Sequence, residues 1–261
     1  MIYYFSGTGN TKFVADFLAD RLGDEVVSMN TLIKEKKNID DRSRTPVVFA
    51  APIYAWRYPL VVENLIKNAK INRNKKVYFI ATCESQYGKT DVYLKKIAES
   101  ISVTYMGFAA LHMPNNYIFG GKIATPEETD EILTDALPEL EKIAHKIQNN
   151  RKLSDKNNTP VAFLMSGAIN TAMYKFMVSS KNFKVSDKCI SCGKCEKVCP
   201  MNNIKMEKGE PVFGENCTWC FGCIERCPKK AIDIKGKTEG KRRSVCPEYK
   251  VWIKKKKNEN S

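Results

Sequence analysis

Histidine is almost missing from this 261-residue sequence: His112 and His145 are the only two, and neither has a plausible catalytic partner, so both read as structural. No apolar run approaches the ~20 residues that a bilayer-spanning helix needs, which excludes a membrane span. The opening Met1–Gly7 lacks a basic segment and a long apolar stretch, so no secretory leader is read there and the chain is expected in the cytoplasm. Acidic residues are outnumbered, 29 against 43 basic ones, for a formal net charge of +14. Cysteine is scarce through the first 188 residues, with Cys83 alone, whereas nine of the ten lie between Cys189 and Cys246. Disulfides suit short exported chains, and this one is neither. Regularly spaced thiols in a reducing compartment are instead read as metal ligands. The composition break near residue 185 marks a domain boundary. With 43% hydrophobic and 28% charged residues, wholesale disorder is also excluded.

What is present first is alternation. Ile2–Phe5, Glu25–Ser28, Val47–Ala51, Val77–Thr82 and Val103–Leu111 are rich in Val, Ile, Phe and Tyr and predict strands. Between and after them, Phe13, Val14, Phe17, Leu18 and Leu22 repeat at helical spacing, as do the segments Leu60–Ala69, Thr90–Glu99 and Pro126–Gln148. Five strands interleaved with helices predict an α/β fold, a doubly wound five-stranded parallel sheet.

Between the first strand and the first helix stands Ser6-Gly7-Thr8-Gly9-Asn10-Thr11. Glycines free the backbone to wrap, hydroxyls add donors, and amides at a helix start carry partial positive charge, so a phosphate fits there. A Gly/Ser/Thr turn that only caps the helix is the plain alternative. Neither common nucleotide loop is present: Lys12 replaces the third glycine of G-x-G-x-x-G, and no G-K-[ST] follows.

This loop, with the sheet around it, resembles flavodoxin, whose strand–[ST]-x-T-G-x-T–helix arrangement matches Ser6, Thr8, Gly9, Asn10 and Thr11. The resemblance implies FMN at the carboxyl ends of the strands, beside the first and third. The loop after the third strand, Pro52-Ile53-Tyr54-Ala55-Trp56-Arg57, then flanks the ring with Tyr54, Ala55 and Trp56. The loop after the fourth contributes Thr82, Cys83, Tyr87 and Gly88, and Met113–Tyr117 borders the site. Glu84 departs from the family, in which many relatives have glycine. Taken singly, Tyr54, Trp56 and Tyr87 read as packing aromatics, and Cys83 as a core thiol.

In the second half, Cys189-x2-Cys192-x2-Cys195-x3-Cys199-Pro200 is repeated as Cys217-x2-Cys220-x2-Cys223-x3-Cys227-Pro228. Zinc needs four ligands per site, often two separated C-x2-C pairs, and tandem quartets each ending Cys-Pro disfavour it. The spacing is similar to that of bacterial two-cluster ferredoxins, in which the fourth cysteine of each run serves the other cluster. That resemblance implies one [4Fe-4S] cluster on Cys189, Cys192, Cys195 and Cys227, and a second on Cys217, Cys220, Cys223 and Cys199. Cys246 has no run of its own and reads as a bystander.

Together the halves resemble the flavodoxin–ferredoxin fusion proteins of anaerobic bacteria. The implied organisation is a flavodoxin-like FMN domain over 1–150, a linker and connecting helix over 151–183, a two-cluster ferredoxin domain over 184–235 and a basic tail over 236–261. Val161–Val178, apolar at near-helical spacing, reads as a helix between the domains. From Lys235 to Ser261 ten basic and three acidic residues give +7, read as a frayed, solvated end. The expected function is electron transfer between two [4Fe-4S] clusters and FMN, with a redox protein as partner. The alternatives are an FMN-dependent reductase of a small organic acceptor and, behind it, a cluster-containing regulator that uses the tail. No nucleic-acid partner is expected.

Overall fold

The computed structural model describes residues 1–155 and 159–259. Part of the linker and connecting helix read at 151–183 (residues 156–158) and the end of the tail (260–261) lie outside these. In chain order the first half comprises β1 (Ile2–Tyr4), α1 (Asn10–Leu22), β2 (Val26–Ser28), α2 (Met29–Lys34), β3 (Asp40–Asp41), β4 (Val47–Pro52), α3 (Leu60–Lys67), β5 (Lys70–Ile71), β6 (Lys76–Cys83), α4 (Thr90–Ser100), β7 (Thr104–His112) and α5 (Pro126–Gln148). A five-stranded parallel sheet forms in the order β2-β1-β4-β6-β7, while β3 and β5 pair apart from it.

The apolar runs are nearly continuous because both faces of the sheet are covered. Side chains alternate between them: Val48, Ala50, Tyr78 and Ile80 join the core beneath α1 and α5. Val47, Phe49, Ala51, Val77, Phe79 and Ala81 join the core beneath α3 and α4. α5 starts at a capping box in which Thr125 and Glu128 satisfy each other's backbone amides, with Pro126 in the first turn. The strand order reverses between β1 and β4, so the loops after these strands open a crevice at their carboxyl ends. Helix α2 and the β3–β5 pair carry too few periodic residues to be read from sequence.

Beyond residue 159 an unbroken rod runs through α6 (Pro160–Leu164), a π-helical stretch (Met165–Ile169) and α7 (Asn170–Phe176). Next come β8 (Phe183–Val185), α8 (Lys194–Val198), the hairpin β9 (Ile204–Glu207) and β10 (Glu210–Phe213), α9 (Gly222–Glu225) and β11 (Ile232–Ile234), which pairs with β8. The two cysteine runs, 28 residues apart by position (217 − 189), share one backbone. Left-handed residues fall at equivalent places: Ser191 and Trp219, Gly193 and Phe221, Asn202 and Lys230. The Asn203 amide donates to Cys199 Sγ and its equivalent Ala231 to Cys227 Sγ, each at 3.3 Å.

The C-terminal stretch is not frayed. Cys246 and the following helix α10 (Tyr249–Glu259) fold back onto the first domain. Tyr249 and Trp252 meet Phe13 of α1 edge-on, each at 5.4 Å between centroids, and Trp252 Nε1 donates to Asp130 Oδ1 at 2.6 Å. Lys256 pairs with the same carboxylate. The run of lysines hid an apolar stripe, Tyr249 and Trp252 with Ile253, that finds its cover on α1. Among the described residues no helix is long and apolar enough to cross a membrane.

Candidate functional site

The loop after β1 is fixed from below. The Ser6 amide donates to Asn30 Oδ1 at 2.8 Å, and Asn30 Nδ2 returns a bond to Ser6 O at 3.0 Å. The Gly9 amide donates to Ser6 Oγ at 3.0 Å, which closes the turn into α1. Thr11 Oγ1 and Thr82 Oγ1 share a 2.8 Å bond that ties this loop to the end of β6. From the segment after β7, Asn116 Nδ2 donates to Thr8 Oγ1, while Asn10 Nδ2 donates to Pro114 O at 2.7 Å. The first amides of α1 have no intrahelical acceptors and carry positive partial charge, which suits a phosphate.

A cavity of about 380 Å³ opens over this loop, within the usual range for small-molecule sites. Ser6, Gly7, Thr8, Asn10, Thr11, Tyr54, Ala55, Trp56, Thr82 and Cys83 line it, together with Glu84–Gln86 and Pro114–Tyr117. Three residues expected there do not. Gly9 lies under Cys246, Gly88 packs against Trp56 and Ser166, and Tyr87 packs at a tilt against Phe108, 5.2 Å between centroids. Burial pushes the Cys83 thiol up to about 11, so it stays protonated near neutrality.

The aromatic loop is held in a conformation that costs energy. Ala55 and Trp56 sit at φ 49° and 63°, a region unfavourable for side chains with a Cβ. The rod braces it: Asn170 Nδ2 donates to Ala55 O and Ser166 Oγ to Trp56 O, both at 2.8 Å. Ser166 Oγ also accepts from the Lys89 amide at 2.7 Å, so one hydroxyl joins two loops. Both bracing residues are fully buried, and the π-helical stretch carries Ser166 and leads directly into Asn170. On the same side, Met173, Tyr174 and Val178 line the cavity.

The remaining wall comes from the second cysteine run. Thr218, Trp219, Cys220 and Phe221 line the cavity, and a Cβ on Gly7 would lie 2.2 Å from Cys220 O. Trp219 and Phe221 pack on one another at 5.8 Å, with Phe119 at 5.3 Å from Trp219 and Tyr117 at 5.6 Å from Phe221, forming an aromatic seam between the two halves. The docking is further fastened by Lys34 Nζ, which donates to Glu196 O and Lys197 O at 2.8 and 2.7 Å, and by Arg226 Nε to Gly7 O at 3.4 Å. The Cys246 amide donates to Thr8 O at 2.9 Å, so the C-terminal strap grips the same loop from outside.

The eight run cysteines divide between two smaller cavities. Cys189, Cys192, Cys195 and Cys227 line one; Cys199, Cys217, Cys220 and Cys223 line the other. Among the described residues no three His, Cys, Asp or Glu side chains gather closely enough to hold a lone metal ion. A cluster of several iron atoms spreads its thiolates around a larger body than a single ion does, so a cluster does not require the close convergence that a lone ion needs. Burial pushes Cys217 up to about 11 and Cys220 to about 12, and raises Cys223 and Cys195 as well. Ionising such thiols for a cluster would need the metal's own positive charge. Cys246, pushed by burial to about 12, lines neither cavity.

The seam leaves only a faint mark in the sequence. Trp219 and Phe221 are large aromatics inside a cysteine run, and Asn30, Ser166 and Asn170 carry no motif at all.

Comparison with known proteins matches residues 1–127 to the flavodoxin domain family and residues 181–228 to the 4Fe-4S dicluster domain family. Over 53 residues the chain is 34% identical to a ferredoxin of Methanothermococcus thermolithotrophicus, covering 19% of this chain and 88% of the ferredoxin. It is 44% identical over 48 residues to a component of the ion-translocating oxidoreductase complex of Methanosarcina acetivorans, covering 18% of each, so it spans under a fifth of that relative. The structure of two-electron reduced Megasphaera elsdenii flavodoxin is 22% identical with a TM-score of 0.35, covering 56% of this chain and 99% of that one.

Proposed function

For a chain with a flavodoxin domain (residues 1–127) followed by a 4Fe-4S dicluster ferredoxin domain (residues 181–228), we propose electron transfer between two [4Fe-4S] clusters and FMN as the function. When bound, the clusters supply one-electron transfer and FMN a centre that takes one or two electrons. The observation that carries the proposal is Cys220, which lines both the inner cysteine cavity and the cavity over the phosphate loop.

Each group has a task in this reading. Ser6, Thr8, Thr11 and the first amides of α1 bind the phosphate. Tyr54, Ala55 and Trp56, with the Thr82–Gln86 loop, hold the ring in place. Cys189, Cys192, Cys195 and Cys227 hold the outer cluster; Cys199, Cys217, Cys220 and Cys223 hold the inner one. The amides of Asn203, Trp219 and Ala231, donating to Cys199, Cys217 and Cys227, stabilise thiolate charge and so tune the potentials. Trp219 and Phe221 keep water from the space between the inner quartet and the ring.

Anaerobically purified protein should contain about eight irons and one FMN per chain. On photoreduction, flavin bleaching in the wild type should outpace that in a Cys217→Ser, Cys220→Ser variant. A colourless zinc protein would overturn the assignment. Saturable turnover of small organic acceptors by the holoprotein would favour a reductase instead.

A further inference from the structure

The two cysteine runs share a backbone but differ at the residues beside their second cysteine. Ser191 and Gly193 occupy the places of Trp219 and Phe221, and all four have left-handed φ values of 54°, 67°, 54° and 54°. In the second run the aromatics seal the quartet against the chain's own flavodoxin domain. In the first run the corresponding side stays open to solvent: Cys192 and Ser191 are exposed, and Ile190 is 55% exposed. One quartet therefore faces inward and the other outward.

The outward face carries an excess of positive charge. Lys194 and Lys229 line its cavity, and Lys188, Lys197 and Lys230 are exposed within three residues of its cysteines. Against these five lysines stand three exposed carboxylates, Asp187 and, beside the cavity-lining Met206 and Pro211, Glu207 and Glu210; Glu196 is half-buried, accepting from the Met206 amide at 3.3 Å. Among the described residues none of the five forms an ion pair within the chain. An exposed apolar residue, Ile190, beside these unpaired lysines has the anatomy of a transient interface: a dry centre and a steering rim.

We propose that the face around Cys189, Cys192 and Cys195 docks a second redox protein through that partner's acidic surface. The inference rests on the electron-transfer reading above. One electron crosses the contact, so one protein is oxidised by the amount the other is reduced, and no bond or proton is exchanged.

The test uses the full-length anaerobic holoprotein and, as probe, a small, strongly acidic ferredoxin. A carbodiimide, which joins lysine amines to carboxylates they touch, should link the probe to peptides carrying Lys188, Lys194, Lys229 or Lys230. Reversing Lys188→Glu, Lys194→Glu and Lys229→Glu together should remove those links and lower the second-order electron-exchange rate at low salt by roughly ten-fold or more. What remains should lose its salt dependence. Lys188→Glu with Lys230→Glu, neither of which lines the cavity, should show a smaller loss of the same kind with iron content unchanged. Lys67→Glu with Lys96→Glu, on the first domain, should change neither readout. Photoreduction by neutral deazaflavin needs no docking and should proceed equally in all variants. If links map to the flavodoxin domain, or reversal leaves the exchange rate within about two-fold while photoreduction is normal, the docking face is wrong and the transfer reading stands. If a cofactor-loaded wild type exchanges electrons with neither probe nor photoreductant, the transfer reading fails and takes the docking face with it.

Discussion

Gly7 has no room for a side chain, because its missing Cβ would sit 2.2 Å from the Cys220 carbonyl oxygen and 3.1 Å from Tyr54 OH. Backbone rather than a flexible tip stands in the way. Gly7→Ala should therefore push the ferredoxin wall off the phosphate loop, at a cost of about 1–3 kcal/mol. The expected readout is FMN binding at least several-fold weaker in fluorescence titration, with both cysteine quartets still loaded with iron. Trp219 and Phe221 make a second case. Giving the second run the residues of the first, Trp219→Ser with Phe221→Gly, relieves an unfavourable backbone at one position but strips the seam of two aromatics worth about 3–5 kcal/mol each. Water then reaches the inner quartet. Because reduction adds negative charge that water stabilises, the inner potential should rise in an EPR-monitored titration while the outer one holds.

At the scale of elements, the strap and the rod each act on a loop that neither belongs to. The strap's anchor is Trp252, and Trp252→Ala should cost about 3–5 kcal/mol, lowering the thermal midpoint and loosening FMN through the Cys246–Thr8 bond. Its electrostatic latch is Asp130. Burial works to raise that carboxyl, but the bonds from Lys256 and Trp252 overcome it and hold the group below the ordinary carboxylate range. A depressed carboxylate stabilises the fold above its unfolded value, about 3.9, and that contribution is lost as pH falls through the lower folded value. Asp130→Asn should flatten the pH dependence of α10 hydrogen exchange below about pH 4. A wild-type profile that was already flat there would remove the latch. The rod's contribution is local: Ser166 and Asn170 satisfy carbonyls that the strained Ala55–Trp56 turn leaves pointing away from any strand.

For the whole molecule, the two domains are one folding problem. The ferredoxin domain has a small apolar core centred on Phe183, Trp219, Phe221, Ile224, Ile232 and Ile234, and part of it is shared with Ile118 and Ile123 of the first half. Its remaining cohesion must come from the thiolate sites, whose metal-binding energy is folding energy. Removing iron with a chelator under reducing conditions should unfold residues 181–234 first, as read by hydrogen exchange. It should also release FMN, since Thr218–Phe221 form a wall of its cavity. A chain that kept FMN with unchanged affinity after iron loss would show the halves to be independent.

The inner strands of the central sheet were legible because residues buried on both faces leave runs of Val, Ile, Phe and Tyr that nothing else explains, whereas the edge strand β2 is exposed or half-buried throughout. The cysteine runs were legible because ligand spacing is a local, covalent property of the chain. Sequence also carried the β1–α1 loop, whose chemistry lies within six consecutive residues, Ser6–Thr11. It could not show that Tyr87 turns to Phe108, that Cys246 lies on Gly9, or that a lysine-rich end hides a docked helix. Each of those depends on a surface supplied from more than twenty residues away. Which quartet faces the cavity over Ser6–Thr11 and which faces solvent was likewise decided only in three dimensions. The repeat supplies two copies of one backbone, and packing of Trp219 and Phe221 on Tyr117 and Phe119 breaks the symmetry between them.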